Sequence, residues 1–220
     1  MSLFNKKRSV MALGDDAIAS IKQELNSILG IAASYDKTLA QSGKLIISLE
    51  GRVRGDLLAF VLYLDGVGKS KVDLREIEVV NQIFDIDLSH VDFTLFRSEV
   101  GDKAFEHAVP ASILIFNEMG KIVQREQFRK RDGSVGSQGN SAELSSLFVN
   151  GLINLYALIG SAFISADGQI SEHESEDLIR YLCMMNRAVN GTGAPLPAGA
   201  AQRTLDAHVR LFGKQPKLGA

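Results

Sequence analysis

Helical periodicity runs through nearly the whole of this chain. Apolar residues recur at steps of three and four, the spacing of the buried face of an amphipathic helix. Between residues 15 and 39 the series is Ile18, Ile21, Leu25, Ile28, Leu29 and Ala32. No alternation with a period of two extends beyond five residues, so the pattern of a half-buried strand is missing. The sequence therefore predicts an all-α fold, a bundle of about seven or eight helices.

Capping signals divide this pattern into segments. Asp73-Leu74-Arg75-Glu76 and Ser171-Glu172-His173-Glu174 have the form of a capping box, which marks a helix start. Pro110 stands where a helix favours its first residue, because its missing N–H would have no partner there. Predicted helices cover about 15–39, 45–64, 73–85, 110–129, 144–166, 172–189 and 200–212, with a short apolar segment after Ser89. The 144–166 helix is apolar on most sides, so we expect it at the centre of the core.

The composition is that of an ordinary globular protein. Of 220 residues, 45% are hydrophobic and 23% are charged. We expect a flexible N-terminus over 1–14, an N-terminal helical half over 15–130, a Gly/Ser-rich loop over 131–141, a C-terminal helical half over 142–189 and a mobile tail over 190–220. The two halves should pack together as one domain.

Charge and hydropathy exclude several classes of protein. Lys and Arg number 24 against 26 Asp and Glu, a net charge of −2, so no global field draws the molecule to nucleic acid. The apolar segments 57–64 and 152–166 are shorter than the ~20 residues of a membrane span. The N-terminus lacks the form of a signal peptide, and a single cysteine, Cys183, allows no internal disulfide. We expect a cytoplasmic protein with no membrane span and no specific nucleic-acid partner.

Two helix–turn–helix units have similar sequences. Each has an apolar helix, then Asp-Gly, then an aliphatic residue and a Glu four positions after it. The first unit covers 57–76 with Asp65-Gly66, Val72 and Glu76, and the second covers 158–174 with Asp167-Gly168, Ile170 and Glu174. The first unit has four extra residues in its loop. Because both matches follow apolar helices, the pattern indicates an internal duplication.

The pattern Asp167-Gly168-x-Ile170-x-x-x-Glu174 after an apolar helix resembles the tellurite-resistance TerB-like family of small all-helical bacterial domains. The resemblance covers about 144–185 well and 57–84 less well. It implies a role in a bacterial stress or defence response, and it implies metal binding through the acidic turn residues, which has been proposed for family members.

The same turn also matches the second half of an EF-hand loop, with Gly168 at the sixth position, Ile170 at the eighth and Glu174 at the twelfth. The first half does not match, because Phe163 and Ser165 would occupy ligand positions. A Ca²⁺ or Mg²⁺ site would use Asp167, Glu172 and Glu174, with Asp65, Asp73 and Glu76 from the other unit. The alternative is structural: a tight Asp-Gly turn followed by a capping box. We predict the structural alternative, and no cofactor other than such a cation.

Two further stretches, one rich in glycine and one basic, have features of a binding site. Gly66-Val67-Gly68-Lys69-Ser70 ends like a phosphate-binding loop, but Tyr63 stands where that loop needs glycine, so we predict an ordinary loop. The basic residues Lys121, Arg125, Arg129, Lys130 and Arg131 form the other stretch. The first three share a helix face that could dock phosphate groups or an acidic partner. Alternatively, they only stabilise the helix C-terminus.

No set of residues with catalytic spacing is present in the sequence. The four histidines, His90, His107, His173 and His208, are isolated, and none pairs with another residue at metal-ligand spacing. The sequence therefore favours a non-enzymatic interaction or sensing module that binds other proteins. Two alternatives remain: a metal-dependent sensor or enzyme that uses the acidic turn, and a structural subunit of a larger assembly.

Overall fold

The structure, a computed structural model, describes residues 7–11, 13–41, 43, 48–66, 74–88, 109–132 and 139–217. Over these residues the protein is an all-α helical bundle with one small antiparallel sheet, which confirms the predicted fold class. The seven described helices are α1 (Asp15–Gln41), α2 (Leu49–Gly66), α3 (Leu74–Phe84), α4 (Ala111–Asp132), α5 (Gly139–Ile164), α6 (Glu172–Asn190) and α7 (Ala200–Phe212). The strands are β1 (Lys7–Ser9) and β2 (Gln169–Ser171).

Helix α5 is the centre of the bundle, and it packs against each of the other six described helices. Leu152, Ile153, Tyr156 and Ala157 on this helix have no exposed surface. A helix that is apolar on most sides is stable only when neighbours cover most of its circumference. The predicted central position is confirmed, and the helix begins at Gly139, earlier than predicted. Both predicted helical halves contribute to one continuous apolar core.

Gly160 allows the closest approach to this central helix. A Cβ atom at this position would lie 2.6 Å from Leu178 Cδ1 of α6 and 3.2 Å from Phe60 Cε1 of α2. Phe60 also packs its ring against Tyr156 and Tyr181, with centroids 5.1 Å apart in both pairs. The α2–α3 and α5–α6 helix pairs expected from the repeat are both present, and α5 joins them through these contacts.

The N-terminus corrects the prediction of a flexible segment over 1–14. Residues Lys7–Ser9 form β1 and pair antiparallel with β2, in the register Lys7 to Ser171, Arg8 to Ile170 and Ser9 to Gln169. All three β1 residues are exposed. The strand is held by backbone hydrogen bonds, so side-chain periodicity carries no sign of it. Residues 1–6 and 12 lie outside the described residues.

The C-terminal end corrects the prediction of a mobile tail over 190–220. Helix α7 has the predicted bounds, but it packs on α5 and α6 and buries Ala200, Ala201, His208 and Phe212. Asn154 of α5 holds its start: Nδ2 donates to the Ala198 carbonyl over 3.0 Å, and Oδ1 accepts from the Ala201 amide over 2.9 Å. These hydrogen bonds join residues that are more than 40 positions apart. The Gly- and Pro-rich sequence before α7 therefore gives no local sign of them and predicts a mobile tail.

Several predicted connections lie partly or wholly outside the described residues. The predicted Gly/Ser loop over 131–141 is too long, because α4 continues to Asp132 and α5 begins at Gly139. Its middle, 133–138, lies outside the description, as do 67–73 of the glycine-containing loop and 89–100 after α3.

Helix α5 contains a window, Leu147–Ile164, that is long and apolar enough to cross a membrane by length and composition. From the sequence, the apolar segment over 152–166 is predicted to be too short for a membrane span. In the structure 61% of this window is buried. A mostly buried core helix meets the same length and composition criterion, and the criterion therefore gives only weak evidence of a span.

Candidate functional site

The acidic turn, defined as residues 165–177, contains the connection between α5 and α6 and the first six residues of α6. Asp167 Oδ1 accepts a hydrogen bond from the Gln169 amide over 2.8 Å, the closure of an Asx turn. Gly168 follows with φ +77, a conformation that favours glycine, and its carbonyl accepts from the Val10 amide over 2.9 Å. The Asp-Gly pair thus shapes the turn and receives the N-terminal strand.

The capping box predicted at the start of α6 is confirmed. Ser171 Oγ accepts from the Glu174 amide over 3.2 Å, and Glu174 Oε2 accepts from the Ser171 amide over 3.0 Å. Both side chains are buried. Glu174 therefore satisfies a backbone N–H that would otherwise be buried without a partner.

The other carboxylates of the turn also have partners within the chain. Glu172 pairs with Lys214, and this hydrogen bond raises the pKa of the Lys214 ammonium. Glu176 Oε1 accepts from the Lys217 amide over 3.2 Å. Buried Asp177 binds Arg180, with an N–O distance of 2.5 Å, and lies 3.5 Å from His173 Nε2. The segment after α7 therefore lies against the first turns of α6.

The structure does not bring Asp167, Glu172 and Glu174 together as a metal site. Among the described residues, no group of three or more His, Cys, Asp or Glu side chains is arranged to hold a metal ion. Glu172 and Glu174 are two positions apart, so they leave the helix on different sides. From the other unit, Glu76 is buried. Asp73 and the side chain of Asp65 lie outside the described residues.

Buried His208 lies on the other side of this turn. Its Nδ1 is 2.9 Å from Ser175 Oγ, and its ring packs on Phe212 with centroids 5.0 Å apart. Among the described residues Nε2 has no hydrogen-bond partner. Burial lowers the pKa of the imidazole, against the opposing effect of Glu176 and Glu172. In the sequence His208 is an isolated histidine. Its contact with Ser175 joins two helices, so sequence spacing gives no sign of it.

The second candidate surface is the outward side of α4. We define the α4 face as Leu114, Glu118, Lys121, Ile122 and positions 125 and 129. At about 100° per residue, these six positions fall within about 100° of one another around the helix. Buried Ile113 and Phe116 lie on the other side.

On the α4 face, two exposed apolar side chains lie on either side of an ion pair. Leu114 is 45% exposed and Ile122 is 38% exposed. Between them Lys121 Nζ pairs with Glu118 Oε1 over 2.8 Å. Of the predicted basic residues, Arg125, Arg129, Lys130 and Arg131 lie in α4, and their side chains lie outside the description.

Leu114 and Ile122 have no part in the sequence-based predictions. A helical wheel drawn on 111–132 would have found them, because Leu114, Glu118 and Ile122 follow one another at steps of four. Leu147 of α5, the helix that packs on α4, is 64% exposed as well. Among the described residues, three of the five exposed large apolar side chains therefore lie on this helix pair, and the other two are Met11 and Leu74.

Comparison with protein-family models, curated proteins and solved structures found no match. The resemblance to the TerB-like family therefore stays a prediction from the sequence motif.

Proposed function

We propose that this protein is a non-enzymatic interaction module whose α4 face docks an acidic, amphipathic segment of a partner protein. One observation carries the proposal: two exposed apolar side chains on a single helix face, Leu114 and Ile122, continue into a run of basic positions. An apolar contact supplies binding energy, and the basic positions select an acidic partner.

The spacing of the side chains on the α4 face indicates what kind of partner segment would fit it. Leu114 and Ile122 are eight residues apart, about 12 Å along the helix axis. A matching partner helix presents two apolar side chains about two turns apart, the spacing of an amphipathic anchor. Its acidic residues should follow on the side that meets Lys121 and positions 125 and 129.

The acidic turn supports the α4 face as the binding surface, and the family resemblance supports the cellular setting. The carboxylates of the acidic turn have partners within the chain, so α4 offers the more accessible charged surface. The resemblance to the TerB-like family supports a bacterial stress or defence response as the setting and the cytoplasm as the location.

In-cell photo-crosslinking tests the proposal. A photoreactive phenylalanine replaces Leu114 or Ile122 in the full chain, and the same residue at Arg203, exposed on α7, is the matched control. We expect a discrete heterologous crosslink from 114 and 122 and none from 203. Mass spectrometry should place the crosslinked partner residue in an acidic amphipathic segment.

Charge reversal makes the test specific. Lys121→Glu combined with Arg125→Glu should reduce the crosslink yield at least tenfold, because like charges then face each other. An unchanged yield would contradict the proposal. So would equal crosslinking from 203, or a crosslink from 114 and 122 to a second copy of this chain.

A further inference from the structure

The C-terminal latch, residues 200–217, is held on the bundle by the buried side chains of α7 and by a set of polar contacts. Asn154 anchors its start. The Ser161 and Thr204 hydroxyls lie 3.0 Å apart across the α5–α7 interface, and the Lys214–Glu172 and Lys217–Glu176 contacts hold its end. The latch is the last described segment and packs on α5 and α6, so its detachment would leave the other helices in place.

His208 occupies the middle of these contacts and is completely buried. A neutral imidazole satisfies its Nδ1 with Ser175, and its Nε2 can stay unprotonated. A protonated imidazole carries N–H on both nitrogens. Nε2 would then be a charged donor with no acceptor among the described atoms. Burying such a group is strongly unfavourable.

The charged groups around His208 shift its pKa in opposite directions. From α6, Glu176 and Glu172 favour the protonated ring, whereas Lys214 disfavours it. Over 147–164, α5 contributes no Asp, Glu, Lys, Arg or His. Its ionisable side chain there, Tyr156, has a pKa raised well above its usual range by burial and is neutral. Burial is the largest effect on His208 and lowers its pKa.

We propose that residues 200–217 form an acid-sensitive latch, in which protonation of His208 releases α7 and the following segment from α5 and α6. A histidine whose pKa is lowered in the docked state favours docking above its ordinary pKa of 6.5, and this advantage is lost as the pH falls below that value. Release separates Lys214 and Lys217 from Glu172 and Glu176. The inference is independent of the α4 face.

The expected size of the effect follows from linkage. If the released histidine has the ordinary pKa of 6.5 and the docked histidine stays neutral, the opening equilibrium constant rises about tenfold between pH 7.5 and pH 5.5. A docked histidine that begins to protonate in this range reduces the rise. Carboxyl groups ordinarily titrate near pH 4, below this window.

Amide hydrogen exchange on the full chain measures this opening directly. Protection factors correct for the intrinsic pH dependence of exchange, and they report the opening equilibrium of each segment. We expect protection over 200–212 to fall by up to about tenfold from pH 7.5 to pH 5.5. Protection over 149–164 in α5 should stay the same.

Two variants identify the responsible residue. His208→Gln does not titrate and can still bond Ser175, so its α7 protection should be independent of pH. His173→Gln is the matched control, because His173 is an exposed histidine beside the same turn, and this variant should keep the full response.

If His208→Gln does not fold, titration of the unmodified chain by NMR decides the question. We expect the His208 ring resonance to titrate below pH 6.5. A midpoint above 6.5 would overturn the latch, as would constant α7 protection or an unchanged response in His208→Gln.

Discussion

The acidic turn and the α4 face are two charged regions of one bundle in different environments. In the turn, carboxylates such as Glu174 and Asp177 are buried and bond to groups of the same chain. On the α4 face, Lys121 pairs only locally with Glu118, and apolar side chains stand exposed beside it. The density of charge in a sequence therefore does not tell whether that charge is available to a partner.

The difference arises from the segments that pack on the acidic turn. Strand β1 pairs with the turn, and Lys214 and Lys217 reach its first helical carboxylates. On the α4 face, the described side chains Leu114 and Ile122 are exposed. Four predictions test this contrast, beginning with the largest expected effect.

The adjacent residues Ile113 and Leu114 should differ sharply in their contribution to stability. Ile113 is fully buried, so Ile113→Ala should lower the free energy of unfolding by about 2–5 kcal/mol. Leu114→Ala, on the exposed face, should change it by less than about 0.5 kcal/mol. Urea denaturation of both variants measures the difference. Equal losses would show that Leu114 is part of the core and would remove the apolar half of the docking surface.

Glu174 should be required for its hydrogen-bonding shape and not for its charge. Glu174→Ala leaves the buried Ser171 amide without its acceptor and should cost about 1–3 kcal/mol of unfolding free energy. Glu174→Gln keeps an acceptor and should cost less than about 0.5 kcal/mol. The same urea titrations compare the two variants. A large loss in the Gln variant would show that the charge itself is needed.

Removal of strand β1 should weaken the turn only slightly. Deleting residues 1–9 removes a short ladder whose side chains are exposed, so we expect a loss of about 1 kcal/mol. Thermal denaturation and exchange at the Ile170 amide, which lies opposite Arg8 in the ladder, measure the effect. A loss several times larger would mean that the N-terminus contributes contacts beyond the backbone ladder.

Divalent cations should leave the stability unchanged. At 100 times its Kd, a cation that binds the folded state adds about 2.7 kcal/mol. With the turn carboxylates occupied by internal partners, we expect 10 mM Ca²⁺ or Mg²⁺ to raise the Tm by less than about 1 °C. Differential scanning fluorimetry checks this. A larger rise, abolished by Asp167→Asn and by Glu174→Gln, would identify the turn as a metal site.

The sequence was sufficient for features that depend on near neighbours. The bounds of α7, the capping box of Ser171 and Glu174, and the central position of α5 all follow from helical spacing and capping chemistry. These interactions join residues three or four positions apart, so a sequence pattern records them.

Features that join distant parts of the chain could not be predicted in this way. The pairing of Arg8 with Ile170 and the contact of Ser175 with His208 each bridge separate elements. Whether Leu114 is buried or exposed depends on which side of α4 packs against the bundle. No local signal records such choices, because the partner side chains are remote in sequence.

By itself, the sequence determined that this chain folds into helices, where most of them begin and end, and which helix occupies the core. Apolar spacing and capping groups fix these features through short-range hydrogen bonds and hydrophobic burial. Only the tertiary structure decided that strand β1 and the segment after α7 lie against the acidic turn, and that Leu114 and Ile122 of α4 are exposed. A carboxylate is a structural group or a ligand according to what lies against it, and long-range packing brings those neighbours together.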